Sequence, residues 1–117
     1  MRHIEDELQK ACVRLFDYKY PKLRLRLHHS PNGGKRNLIE AAKFKEMGVR
    51  AGFPDLILLV PNKQYQFMGI ELKTAKGRLS EHQKEYQKEF ERIGARYVVC
   101  RSVDDFLREI EDYLKDI

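Results

Sequence analysis

Apolar residues recur at helical spacing at Ile4, Leu8, Ala11, Cys12, Leu15 and Phe16, which predicts an amphipathic helix over residues 3–17. Pro21 lies in the turn that follows. Leu23, Leu25 and Leu27 then alternate with Arg24, Arg26 and His28, the pattern of a half-buried strand. The turn-rich run His29-Ser30-Pro31-Asn32-Gly33-Gly34-Lys35-Arg36 leads to a second helix, expected from about Asn37 to Met47 with Gly48 as its stop. Phe53 to Val60 is a nearly continuous apolar run, as expected of a strand near a sheet centre. A turn at Pro61-Asn62-Lys63 joins it to a hairpin partner over Tyr65 to Lys73. After the basic loop Ala75-Lys76-Gly77-Arg78-Leu79, Ser80 and Gln83 form a capping-box pattern at the start of a helix that runs to Ile93 and ends at Gly94. Arg96 to Arg101 reads as a fourth strand, and a last helix runs from about Ser102 to near Lys115. The order αβαββαβα predicts an α/β fold, a mixed β-sheet flanked by helices. No internal repeat, linker or low-complexity segment interrupts it, and 117 residues suit a single domain over 1–117.

Charge placed inside this pattern is the informative feature. Asp55 follows Pro54 at the mouth of the apolar strand, and Glu71 and Lys73 are embedded in the next strand as Gly69-Ile70-Glu71-Leu72-Lys73. Strand alternation sends Ile70 and Leu72 to one face and Glu71 and Lys73 to the other. Carboxylates among apolar strands are costly unless a partner or a metal compensates. Asp55, Glu71 and the backbone carbonyl of Leu72 offer hard oxygen ligands of the kind Mg²⁺ accepts. A divalent ion there polarises a phosphate and acidifies water, while Lys73 supplies a positive point charge for the attacking water or the developing negative charge. The bland alternative is a surface Glu/Lys pair beside a turn Asp. The joint occurrence of Gly-x-Pro-Asp before one apolar strand and Glu-x-Lys in the next favours a site.

At these residues the chain resembles the PD-(D/E)XK nuclease superfamily, and more narrowly the VRR-NUC family. The resemblance rests on Gly48-Val49-Arg50-Ala51-Gly52-Phe53-Pro54-Asp55-Leu56, Ile70-Glu71-Leu72-Lys73, and Gly77-Arg78-Leu79-Ser80 with Gln83. It extends to Glu5 with Leu8-Gln9, Pro31-Asn32-Gly33-Gly34, Ala42-Lys43-Phe44-Lys45 and Tyr97-Val98-Val99-Cys100. It implies a restriction-endonuclease-like fold and Mg²⁺- or Mn²⁺-dependent cleavage of DNA. Asp55 and Glu71 are then the metal ligands, Lys73 assists hydrolysis, and Glu5 completes an acidic cluster. Compact stand-alone members, some similar to Holliday-junction resolvases, match the length of this chain. A homodimer acting on branched DNA is therefore expected. A flap or other branched-DNA nuclease, a non-catalytic DNA-binding module of the same fold, and a structural protein with a basic docking face remain as alternatives.

Helix geometry narrows the choice among the first-helix acids. With the apolar stripe centred near Leu8 and Leu15, Glu5 lies roughly 65° from its centre, Glu7 about 95°, and Asp6 on the far side. Glu5 is the acid aimed inward, although all three also suit a helix N-terminus. Gln83 has two readings, the capping box and an amide near Lys73 that the resemblance suggests. Asn32, Lys35 and Arg36 in the glycine loop, with Arg50, Lys76 and Arg78 around the acidic positions, are candidate phosphate contacts. The net charge of +5 and pI near 9.2 agree with a polyanionic partner. His28 and His29 point to opposite faces of a strand and have no zinc-site spacing; loop-anchoring or solvent-exposed histidines are the default, with an approach of one of them to the active site from the first strand as the alternative. Cys12 and Cys100 sit in apolar patterns as reduced core thiols. With no membrane-length apolar stretch and no signal-peptide core, they point to a cytoplasmic compartment, and the resemblance to compact bacterial and phage members implies that of a bacterium or a phage-infected host.

Overall fold

The computed structural model describes residues 2–31 and 38–117. Asn32, Lys35 and Arg36, expected in the phosphate-contacting loop, lie outside the described residues. Helix α1 (Arg2–Lys19) is followed by a 3₁₀ helix (Pro21–Arg26), strand β1 (Leu27–His29), α2 (Leu38–Glu46), β2 (Leu56–Leu58), β3 (Met68–Leu72), α3 (Glu81–Arg92), β4 (Arg96–Cys100) and α4 (Val103–Leu114). The strands form one mixed sheet in the order β1-β2-β3-β4. The β1–β2 and β2–β3 pairs are antiparallel, and β4 returns parallel to β3 after the α3 crossover. The expected mixed sheet, hairpin and crossover are all present.

One element differs. The alternating run from Leu23 is a 3₁₀ helix, and β1 begins only at Leu27. Pro21 occupies the first turn of that helix, where its fixed φ suits a helical start and its missing N–H is no loss. Leu23 and Leu27 pack against the core, whereas Leu25 is 89% exposed. Positions 23 and 27 also fit an i, i+4 helical spacing, so the alternation was ambiguous and only Leu25 separates the two readings. Strands β2 and β3 are also shorter than the apolar runs that contain them. Pro54 and Asp55 precede the first paired residue of β2. Asn62 closes the following turn by accepting from the N–H groups of Gln64 (2.9 Å) and Tyr65 (2.7 Å).

Alternation along β2, β3 and β4 divides the core between two faces. On one, Leu56, Leu58, Met68, Ile70, Leu72, Val98 and Cys100 meet Cys12 and Phe16 of α1 and Phe106, Ile110 and Tyr113 of α4. On the other, Ile57, Ala95 and Tyr97 meet Phe90 of α3, with Phe53, Phe67, Leu79 and Tyr86 around them. Both cysteines are free and buried, and burial pushes each thiol up to about 12, so both act as packing groups.

Two glycines let α3 approach the second face. A side chain on Gly69 would overlap the Phe90 ring and come within 3.0 Å of Pro54 Cγ. Gly52 has φ +86°, open to glycine at little cost, and a Cβ there would lie 2.5 Å from the His82 carbonyl carbon. The turn before Asp55 is thus pressed onto the first turn of α3. That turn is fixed by a complete capping box. Ser80 Oγ accepts from the Gln83 N–H (3.2 Å), and Gln83 Oε1 accepts from the Ser80 N–H (2.8 Å).

Candidate active site

Glu71 sits mid-strand in β3, on the α3 face, and is 3% exposed. Its Oε2 accepts from Gln83 Nε2 at 2.8 Å. Its Oε1 is buried and has no hydrogen-bond partner among the described residues. Asp55, just before β2, is half-buried, and its Oδ2 accepts from the Leu72 N–H at 2.7 Å. The β3 backbone therefore orients one carboxylate, and an α3 side chain orients the other. The Gln83 amide does two things at once: its Oε1 accepts from the Ser80 N–H in the cap of α3, and its Nε2 donates to Glu71 rather than reaching Lys73.

These two acids are in conflict with each other. Burial pushes the Glu71 carboxyl up to about 9, and the neighbouring Asp55 carboxylate pushes the same way. Lys73 opposes the shift through its positive charge, and Glu5 adds to it. Lys73 is half-buried, and its N–H donates to the Cys100 carbonyl at 3.0 Å, continuing the β3–β4 pairing past Leu72. Of the first-helix acids, Glu5 is half-buried while Asp6 and Glu7 are exposed, with Glu7 paired to Lys10. Among the described residues, however, no three His, Cys, Asp or Glu side chains gather closely enough to hold a metal ion. The acidic centre is a pair, and Glu5 acts on it through its charge.

A divalent cation suits that pair. An orphaned buried carboxylate oxygen beside a second carboxylate lacks a positive partner, and two carboxylates plus water is a donor set Mg²⁺ accepts. Asp55 and Glu71 are the residues that would hold it.

Three further residues bear on the site: His29, one of the two histidines weighed above for an approach from the first strand, and Tyr97 and Arg101, which the sequence does not mark as site residues. His29 Nδ1 lies 2.7 Å from the Asp55 carbonyl oxygen, so β1 braces the backbone of the first acid. Tyr97 of β4 pairs in register with Gly69, on the Glu71 face of the sheet. Its hydroxyl is buried without a hydrogen-bond partner among the described residues, and burial and the Glu71 and Asp55 charges push it up. Side-chain alternation on two paired strands was enough to place it there, but its spacing showed only a core-edge tyrosine. Arg101 reaches the loop after Lys73 and donates to the carbonyls of Thr74 (2.8 Å) and Gly77 (2.6 Å). That clamp shapes the segment bearing Lys76 and Arg78, both exposed, as is Arg50 before the Gly52 turn.

A family model for the VRR-NUC domain matches residues 3–104. A solved structure described as a VRR_NUC domain protein is similar with a TM-score of 0.83 and 34% identity, over 95% of this chain and 88% of that one. No functionally curated protein matches.

Proposed function

The chain belongs to the VRR-NUC family of nuclease-type domains, and from that premise we propose that it is a Mg²⁺- or Mn²⁺-dependent endonuclease that hydrolyses DNA phosphodiesters. The observation that carries this reading is the Asp55–Glu71 pair, fixed from two sides and short of positive charge. A bound divalent ion would polarise the scissile phosphate and lower the pKa of a coordinated water. The chain's own groups do the rest. The Leu72 N–H holds one Asp55 oxygen and Gln83 holds one Glu71 oxygen, so the remaining oxygens are the ones presented to the ion. The carbonyl of Leu72 is the further oxygen donor on that strand. Lys73, on the same side of β3 as Glu71, offsets charge that builds on the phosphate and orients the attacking water. Glu5 deepens the negative potential that draws the cation. Arg50, Lys76 and Arg78 grip flanking phosphates and set the register of the strand.

Branched DNA is the substrate class, cut by a homodimer. α2 contains no buried residue, and Leu38 and Ile39 in its first turn are 88% and 82% exposed. Such a surface is suited to a second copy, and two-fold symmetry would set two acidic pairs against two strands. Among the described residues no helix is long and apolar enough to cross a membrane. The buried free thiols suit a reducing cytoplasm.

The test is incubation of labelled four-way junctions, flaps, splayed duplexes and linear duplex with Mg²⁺ or Mn²⁺, with and without chelator. Metal-dependent products that vanish with chelator and in Asp55→Asn support the reading. Tight DNA binding without any product identifies a non-catalytic module instead.

A further inference from the structure

Beside the acidic pair lies a pocket of about 510 Å³ lined by Ser30, Pro31, Phe44, Val49, Arg50, Phe53 and Tyr86 together with Gly48. Its volume is in the range of small-ligand sites, about 300–1,000 Å³. It shares two elements with the acidic centre. Phe53 is two residues before Asp55, a reach of about 7 Å in extended chain. Tyr86 is one turn beyond Gln83 on α3, so the helix face that holds Glu71 continues into the pocket wall. The two rings meet edge to face with centroids 5.3 Å apart, and Tyr86 also abuts Phe90 at 6.3 Å. That packing fixes them as a preformed aromatic wall. Phe44 enters from α2, and lies roughly 170° around that helix from the midpoint of Leu38 and Ile39. The pocket therefore uses the side of α2 opposite Leu38 and Ile39, the two residues of the proposed dimer surface.

We infer that this pocket receives one unpaired nucleobase of the DNA strand whose neighbouring phosphate lies at Asp55 and Glu71. The inference rests on the nuclease reading for its ligand class and adds the feature that sets substrate choice. Three observations favour a base over an apolar peptide. The pocket adjoins a centre built for a phosphate, Arg50 puts a cation at its edge, and its aromatic surfaces match a flat π-face of any sequence. A base stacked in an intact duplex does not enter without being extruded, and extrusion is least costly for a base that is already unpaired. The pocket thereby prefers flaps, gaps and junction points over continuous duplex without reading sequence.

The experiment places 2-aminopurine at the unpaired position of a flap or junction, and in a control within a matched duplex. Binding to the full chain is followed with Ca²⁺ in place of Mg²⁺. Quenching of the unpaired probe on binding is expected, with no change for the paired probe. Tyr86→Ala and Phe44→Ala should each weaken binding of the branched substrate by about tenfold to a hundredfold. Both should leave duplex affinity within twofold, and Tyr86→Phe should retain the quench. Phe44 lies on a helix without buried residues, so its truncation tests the pocket even if Tyr86→Ala fails to fold. An unquenched probe at saturating protein, or a Phe44→Ala protein with wild-type affinity and quench, overturns the inference. A protein that quenches the probe yet never cuts with Mg²⁺ or Mn²⁺ keeps the pocket and refutes the nuclease reading.

Discussion

Replacing Glu71 by Gln should stabilise the metal-free protein while destroying its response to metal. In the fold the Glu71 carboxyl is buried beside Asp55 and is pushed from its ordinary 4.5 up to about 9. The folded state thus holds a proton that the unfolded chain releases at neutral pH. At pH 7 that difference costs about 3 kcal/mol, from 1.36 kcal/mol per pH unit between 4.5 and 7. Gln removes the cost and keeps the geometry. Its carbonyl still accepts from Gln83, and its N–H₂ donates to Asp55 where the acid left an unpartnered oxygen. Because this acid's folded value is raised, wild type loses stability relative to Glu71→Gln as pH rises from 4.5 to 9. The gap is absent below 4.5 and constant above 9. In thermal melts with chelator at pH 7 we expect Glu71→Gln to be more stable by about 1–3 kcal/mol, which is roughly 4 °C in Tm per kcal/mol for a domain of this size. Saturating Mn²⁺ should raise the wild-type Tm, by about 2.7 kcal/mol at one hundred times Kd, and leave the variant unmoved. A variant less stable than wild type in chelator at pH 7, or a gap that does not widen with pH, refutes the claim that Glu71 is an uncompensated buried acid.

Other consequences are tested separately. Asp55→Asn should keep the Leu72 N–H contact and the fold, and lose metal-dependent cleavage in single-turnover assays with labelled DNA. Lys73→Ala should lower the cleavage rate by about 10²–10³-fold while preserving the Mn²⁺-induced Tm shift, which separates charge assistance from metal binding. Gly69→Ala should cost about 1–3 kcal/mol in denaturant melts, since its methyl drives Phe90 and Pro54 off the sheet. The double variant Leu38→Glu, Ile39→Glu should sediment as a monomer at concentrations where wild type is a dimer, and a concentration-independent wild-type monomer would remove the dimer proposal.

How much of this was legible in the chain depended on whether a feature was local or arose between strands. Helix starts were local. Ser80 with Gln83 announced α3 because a capping box needs only four consecutive residues. The face on which Glu71 lies was also local, since strand alternation alone opposes it to Ile70 and Leu72, both fully buried in the α1/α4 core. The stretch from Leu23 to Leu27 failed for a physical reason. An apolar residue at every second position also places one at every fourth, and only tertiary packing decides which of the three is left in solvent.

The division of labour within the site follows from the same distinction. Asp55 and Glu71 are sixteen residues apart, and what fixes them is neither residue's neighbour in sequence. The Leu72 N–H, one position past Glu71, reaches across to Asp55, because the first acid stands just before the first paired residue of β2. The Gln83 amide reaches Glu71 only because glycine at 52 and at 69 lets α3 lie close to the sheet. Small residues far from the chemistry in function are thus adjacent to it in geometry. A larger side chain at either position would lift α3, leave Glu71 without its one hydrogen bond, and open the aromatic wall formed by Phe53 and Tyr86. The acidic pair and the neighbouring pocket therefore stand or fall together through the seating of one helix.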